Sequence, residues 1–347
     1  MSTIYDVVTA PELAAYWGAL PQNDPPFLGE ELFPAKKQMG LDIKYLKGAK
    51  GLPIVLKPSA FDAKAVPRPR IAMDKVASDI PFFKESMYID EHLRQELLKV
   101  LATGNQVYID SVMNQIFDDQ AALIKAARVQ RERMRMSLLT SGAISIAANG
   151  QDYEYDYNLS DDQKVTAAKS WSDPTANIID EVRAWLDSAE DRTGVRPTRG
   201  VCSRKTWGYL RTNQTIAKAI YPTSTGGVPV TDNQLRSALA EQLGVEIVVN
   251  EKRYIDETGA TIRYVPDDTL SLFPSGALGS TVFGTTPEEA DLMSSSIANV
   301  SIVDTGVAVT TSKQVDPVNV ETKVSMACLP TFEAADYILI ADLTASS

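Results

Sequence analysis

Few residues in this chain could do chemistry, and their spacing decides what each could do. Asp152, Glu154, Asp156 and Asn158 alternate along the sequence, as calcium ligands do in an EF-hand loop. Its sixth position would be Tyr157, where the sharp turn needs glycine, and its twelfth Gln163, where a bidentate glutamate is required. The same carboxylates could be taken as a glycosidase acid–base pair. Neighbours on an open strand lack the apolar pocket that raises one carboxyl pKa. A solvated strand face is the reading these residues favour. His92 is the only histidine, which removes HExxH zinc sites and argues against histidine-paired nucleophiles. It stands beside an apolar helical stripe and reads as a packed or surface residue. Nucleophile-elbow, P-loop and dinucleotide-binding motifs are missing. Cys202 and Cys328 are far apart and form no CxxC pair, so they read as small buried side chains. No catalytic, cofactor-binding or metal-ligating residue is assigned.

The basic run Arg128, Arg131, Arg133, Arg135 is different in kind. Arg128, Arg131 and Arg135 follow three- and four-residue spacing and share one helical face. Two readings stay open. One is a solvated face that complements the helix C-terminal dipole. The other is a contact with carboxylates of another subunit. DNA contact comes third, because net charge is −11 and phosphate neutralisation needs a surplus of Lys and Arg.

Those residues need elements to hold them. Thr9 and Pro11 suit the start of a short helix over 9–20, and Pro21, Pro25 and Pro26 then predict extended chain to Phe33-Pro34. Short strands are expected over 38–56. Residues 53–81 carry Pro53, Pro58, Pro67, Pro69 and Pro81 with little helical pattern, and Phe61, Phe82 and other apolar residues there have no evident core. A neighbouring subunit is the natural cover. Two helices follow, one around Leu93 and Leu97, the next from about Val107 to Leu139, roughly 45 Å long. Asn149-Gly150 predicts a hairpin with a type I′ turn. From Asp173 the pattern becomes α/β. Asp173-Pro174 should cap a helix ending near Gly194, with a strand at 199–202 and helices over 203–211 and 214–220. Thr231 should cap a helix stopped by Gly244, and strands are expected at 245–250 and 269–273, with a hairpin around Thr258-Gly259 between them. Residues 284–316 are Ser/Thr-rich and weakly periodic, and 319–343 reads as extended chain ending in a strand at 337–340.

Bulk composition agrees with a folded chain. The sequence has 347 residues, 44% apolar and 23% charged, ordinary for a globular protein. The N-terminus has no signal-peptide pattern, and no apolar run reaches about 18 residues, so no membrane partner is expected.

Taken in order, these features resemble the lambda-type major capsid protein family of tailed phages, called capsid protein E. The residues that carry the likeness are Phe33-Pro34; Gly51-Leu52-Pro53 with the Pro- and Arg-bearing stretch after it; Glu132, Met134-Arg135 and 138–146; Gly244–Val249; Pro266-Asp267-Asp268; 272–276; and Leu329-Pro330 with Ala335-Asp336. The resemblance implies an α+β, Hong Kong 97-like capsid fold with an N-terminal arm (1–37), first strands and extended loop (38–85), a peripheral domain with a long spine helix (86–172), an α/β axial domain (173–283), and a return to the peripheral domain with a C-terminal strand (284–347). It implies a non-catalytic subunit without cofactors that forms hexamers and pentamers of an icosahedral head around double-stranded DNA. Its partners would be itself, a scaffolding protein, a portal protein and a decoration protein, with no sequence-specific DNA contact. Assembly would take place in the host bacterial cytoplasm and the product would be a virion capsid. An encapsulin-type compartment shell is the second reading and an α/β enzyme the third.

Subunit contacts are expected from Tyr16, Trp17, Phe27, Lys57, Phe61, Arg68, Arg70, Phe82, Arg128, Arg131 and Arg135. Only about thirty residues precede the first strand signals, so no fused scaffolding domain is expected. Some relatives with this fold join a loop lysine to a neighbour's asparagine. Lys57, Lys64 and Lys75 with Asn319 would be the residues here. The expectation is that no such cross-link forms, since the lambda-type family relies on non-covalent clamps.

Overall fold

The structure, a computed structural model, describes residues 7–20, 26–47, 74–221, 230–293, 298–315 and 318–345. Helix α1 (Ala10–Ala19) starts after Thr9 with proline in its first turn, where the missing N–H has no intrahelical acceptor to lose. A short helix, α2 (Leu28–Leu32), stands where extended chain was predicted. Pro25 and Pro26 lie before its N-cap, so neither removes a hydrogen bond from it. Strands β1 (Ala35–Lys37), β2 (Asp42–Lys47), β3 (Asp74–Asp79) and β4 (Phe82–Tyr88) follow.

Helix α3 (Glu91–Thr103) is capped by the Asp90 carboxylate and ends at Gly104 with φ +66°. Helix α4 (Gln106–Ser141) has 36 residues, about 54 Å at 1.5 Å per residue. Strands β5 (Ala143–Ala148) and β6 (Gln151–Asp156) form the predicted hairpin. Asn149 and Gly150 both take positive φ there, as a type I′ turn requires. A 3₁₀ turn leads into β7 (Lys164–Thr166).

Helix α5 (Ile178–Thr193) has Asn177 as N-cap, not Asp173. The Asp173 carboxylate instead accepts from the Thr175 backbone N–H at 2.8 Å. This local Asx turn competes with capping and delays the helix. Next come β8 (Arg199–Cys202), α6 (Arg204–Thr212), α7 (Gln214–Ile220), α8 (Asp232–Leu243) and β9 (Glu246–Val249). Strands β10 (Arg253–Ile255) and β11 (Thr261–Arg263) form a hairpin, followed by β12 (Thr269–Phe273). The chain then runs through β13 (Ser280–Phe283), a π-helical turn at Glu288–Leu292, β14 (Ala298–Val303), β15 (Val307–Val315), β16 (Val318–Thr331) and β17 (Leu339–Asp342).

These elements divide into two units. The first takes Met1–Lys44, Ala77–Met134 and Ser280–Thr331. Its sheet runs β1-β13-β16-β15-β14, with β4 also paired to β16. Strand β16 holds the sheet together: Val318–Met326 pairs with β15, Cys328–Thr331 with β13, and Glu321–Ala327 with β4. The Ser/Thr-rich stretch that reads as weakly periodic contains two of these strands, β14 and β15. Thr310 and Thr311 are buried in β15. Small hydroxyl residues at buried positions erase the apolar–polar alternation that would mark a strand.

The second unit takes Tyr45–Val76, Arg135–Gly279 and Phe332–Ser347. Its sheet order is β7-β17-β12-β8-β9. Strands β8 and β9 are parallel, and helices α6 to α8 supply the crossover such a pair needs. Trp171, Trp207, Leu186, Leu239 and Leu270 belong to its apolar core. Strand β17 begins at Leu339, after a 3₁₀ turn over Ala335–Tyr337. It pairs antiparallel with β12 and parallel with β7. The C-terminal strand therefore joins the α/β unit, and residues 332–347 part from the segment 284–331 that precedes them in sequence.

Candidate assembly surface

The arginine stripe of α4 is not a solvated face. Arg131 is 5% exposed and Arg135 3%. Arg128 donates from Nε and Nη2 to both oxygens of Asp304, each at 2.8 Å. Arg131 Nη2 reaches the same carboxylate at 3.0 Å, and its Nε donates to the Ala127 carbonyl at 3.3 Å. The guanidiniums also lie over aromatic rings: Arg128 is 4.9 Å from the Trp17 centroid and Arg131 5.6 Å from that of Phe283.

Asp304 occupies the tip of the β14–β15 hairpin with φ +51°. Burial opposes its ionisation, but the Arg128 hydrogen bonds and charge, reinforced by Arg131, outweigh that and hold the carboxyl below its usual range. The hydrogen bonds from Arg128 to Asp304 raise the arginine in turn. Gly306 completes the tip with φ +74°, and a Cβ there would stand 2.8 Å from the Phe283 ring. The hairpin tip thus meets both α4 and β13, and only glycine fits that contact.

The arm residues also face their own chain. The Tyr16 hydroxyl donates to Asp118 at 2.5 Å, and the Tyr16 and Phe117 ring centroids are 5.5 Å apart. The hydrogen bond to Asp118, then burial, raises the tyrosine pKa. The Ala10 N–H donates to Thr311 Oγ1 at 3.1 Å. Glu132, fully buried, accepts from the Gly29 N–H in α2 at 3.1 Å. Phe27, the N-cap residue of α2, is half-buried. Phe82 is half-buried in β4, opposite Ala327. Lys57, Phe61, Lys64, Arg68 and Arg70 lie outside the described residues, as does the side chain of Lys75.

The structure therefore draws Trp17, Arg128 and Arg131 into one cluster within a single chain, with Tyr16 elsewhere on the same α1–α4 contact. It supplies a carboxylate that sequence reasoning did not pick out. Asp304-Thr305-Gly306 is a turn signal of the Asp-x-Gly kind and was open to notice. Its pairing with residues 173 and 176 positions away was not.

The other candidates resolve into local roles. Asp152, Glu154 and Asp156 lie on the exposed face of β6. Asp156 accepts from the Asn158 N–H at 2.8 Å. Among the described residues, no group of three or more His, Cys, Asp or Glu side chains could hold a metal ion. Burial pushes the Cys202 thiol up to about 12, which leaves it protonated and unreactive. The backbone N–H of His92 donates to the capping Asp90. Asn319 is 8% exposed, and its amide donates to the Ile89 carbonyl at 2.7 Å.

What the arrangement can do is mechanical: it ties an N-terminal segment, a long helix and a hairpin tip together through buried charge. Residues 9–343 carry the sequence signature of the phage major capsid protein E family. The chain belongs to that family. No curated protein sequence matches it. Its fold is similar to a prophage capsid protein of Escherichia coli CFT073, with TM-score 0.61 and 14% identity over 96% of this chain and 99% of that one. A phage-related protein of Bordetella bronchiseptica RB50 gives 0.55 and 14% over 96% and 97%. The capsid asymmetric unit of cyanophage A-1(L) gives 0.50 and 12% over 92% and 93%. At these identities the likeness speaks for the fold, which is the Hong Kong 97-like capsid fold. In this capsid protein the clasp around Asp304 lies in the same unit as the first part of the long helix.

Proposed function

We infer that this chain is the major shell subunit of a tailed-phage head, assembling as hexamers and pentamers into a closed icosahedral shell around double-stranded DNA. The observation that carries this is membership of the capsid protein E family over residues 9–343. The role is structural and non-catalytic. Net charge of −11 supports an inner wall that encloses DNA without gripping it. Scaffolding, portal and decoration proteins are the further partners, and assembly takes place in the host cytoplasm before the shell becomes part of the virion.

Contacts between neighbours are assigned first to residues 53–81, through Lys57, Phe61, Arg68 and Arg70, with Phe82 beside them. The support is composition: five prolines limit the entropy lost on ordering this stretch, and its aromatic side chain gains free energy when covered. The test is co-expression of the full chain with its scaffolding partner, followed by sedimentation and negative-stain imaging. Closed megadalton particles are expected. A stable monomer as the sole species, with the scaffold present, overturns the reading.

A further inference from the structure

Gly284 directly follows β13, and it is not among the residues with positive φ. Backbone freedom is therefore not what glycine provides at this position. Space is. A Cβ on Gly284 would lie 2.8 Å from the Gly40 carbonyl oxygen, 3.0 Å from Ile80 Cδ1 and 3.1 Å from Leu41 Cδ2. The first of these is backbone and has no rotamer by which to move aside.

Four segments converge here. Gly284 N–H donates to the Ala327 carbonyl at 2.9 Å, continuing the β13–β16 ladder, and Gln38 N–H donates to the Phe283 carbonyl at 2.9 Å. Lys37 Nζ donates to the Gly284 carbonyl at 2.9 Å and pairs with Glu289 at 2.5 Å. Ile80 N–H donates to the Leu41 carbonyl at 2.9 Å. That last bond closes the base of the ribbon formed by β2 and β3. Ile80 is 6% exposed while Leu41 is 46% exposed, so the base is packed on its Ile80 side as well as hydrogen-bonded.

We propose that Gly284 is a positioning residue: it provides a bare backbone seat for the base of the β2–β3 ribbon, and shell assembly depends on that seat. The physical reason is leverage. The six residues of β2 extend about 20 Å at 3.3 Å per residue, so a small tilt at Leu41 and Ile80 is amplified at the far end of the strand. Interfaces between copies tolerate little such misplacement, because packed contacts are lost within a fraction of an ångström. The proposal rests on the shell-building reading, and its test keeps the two apart.

The full chain carrying Gly284→Ala or Gly284→Val is compared with the unsubstituted chain and with Gly208→Ala, where a Cβ meets nothing within 4 Å. Three quantities are read: particle yield by sedimentation, the thermal transition of unassembled subunit, and hydrogen exchange at the Ile80 amide. Both Gly284 variants should lose yield several-fold while Gly208→Ala does not. The thermal transition should hold, and Ile80 exchange should quicken by roughly an order of magnitude as the ribbon base opens. Unchanged yield with unchanged Ile80 exchange overturns the proposal. Should Gly284→Ala fail to fold, Leu41→Ala, which loosens the seat without adding bulk, must still quicken Ile80 exchange and lower yield. A folded, normally assembling Leu41→Ala variant also overturns it. Absence of particles from the unsubstituted chain would count against the shell reading, while Ile80 exchange would still report on the seat.

Discussion

Asp304 gathers two arginines on one carboxylate, so its removal leaves both without their shared counter-ion. Asp304→Asn should destabilise the subunit by about 2–3 kcal/mol, near the lower end for a buried pair because the carboxylate keeps some solvent contact. Urea unfolding of the unassembled chain measures this. The pH dependence follows from the lowered folded pKa. Stability from the clasp is fully present above the ordinary carboxylate range and is lost as pH falls through the folded value. The unsubstituted chain should therefore lose its advantage over Asp304→Asn on acidification, and an unfolding difference independent of pH would contradict the assignment. That Arg128, Arg131 and Arg135 share a face was legible from spacing. Which partner neutralises two of them was not.

Among the elements, most of those announced by local signals form where the signals stand, the cap at Asp173 being an exception. Thr231 and Gln234 make a reciprocal capping box on α8, and Gly244 ends it in the left-handed region. Thr231→Ala should cost about 1 kcal/mol, read as a shift in the urea midpoint of the unassembled subunit with its slope unchanged. A shift of the slope would mean that the unfolded or native ensemble had changed instead. The elements that escaped reading lack such signals. Helix α2 is five residues long, too short to show a period. Strand β15 buries Thr310 and Thr311, and its pairing with β14 on one side and β16 on the other supplies the order.

The whole molecule is a shell subunit, and its two remaining predictions concern assembly. Mature particles should run as single subunits on a denaturing gel, without a covalent ladder. The one asparagine considered as an acceptor, Asn319, has both ends of its amide engaged inside the chain, with the Ile89 carbonyl and the Val320 N–H at 2.7 Å. Discrete high-mass bands would refute this. Phe61→Ala with Arg68→Ala should leave the subunit soluble with its far-UV spectrum unchanged, while particle yield falls sharply. Unfolding of the monomer would place these side chains in their own subunit's core, and normal assembly would place the neighbour contact elsewhere.

Sequence alone determined the caps of α8 at Thr231 and Gly244, the turn at Asn149-Gly150, the long helix, the α/β pattern after residue 173 and the capsid resemblance. Each of those is encoded within a few residues or in the linear order of such pieces. Backbone preferences act over one turn of chain, so they can be read without knowing what lies across from them. Only the tertiary structure decided that β16 serves three strands at once, that β17 leaves its sequence neighbours to lie between β12 and β7, and that Asp304 closes on Arg128 and Arg131. Those choices depend on register and burial between distant segments, where the free energy lies in pairs of residues and no single stretch carries it.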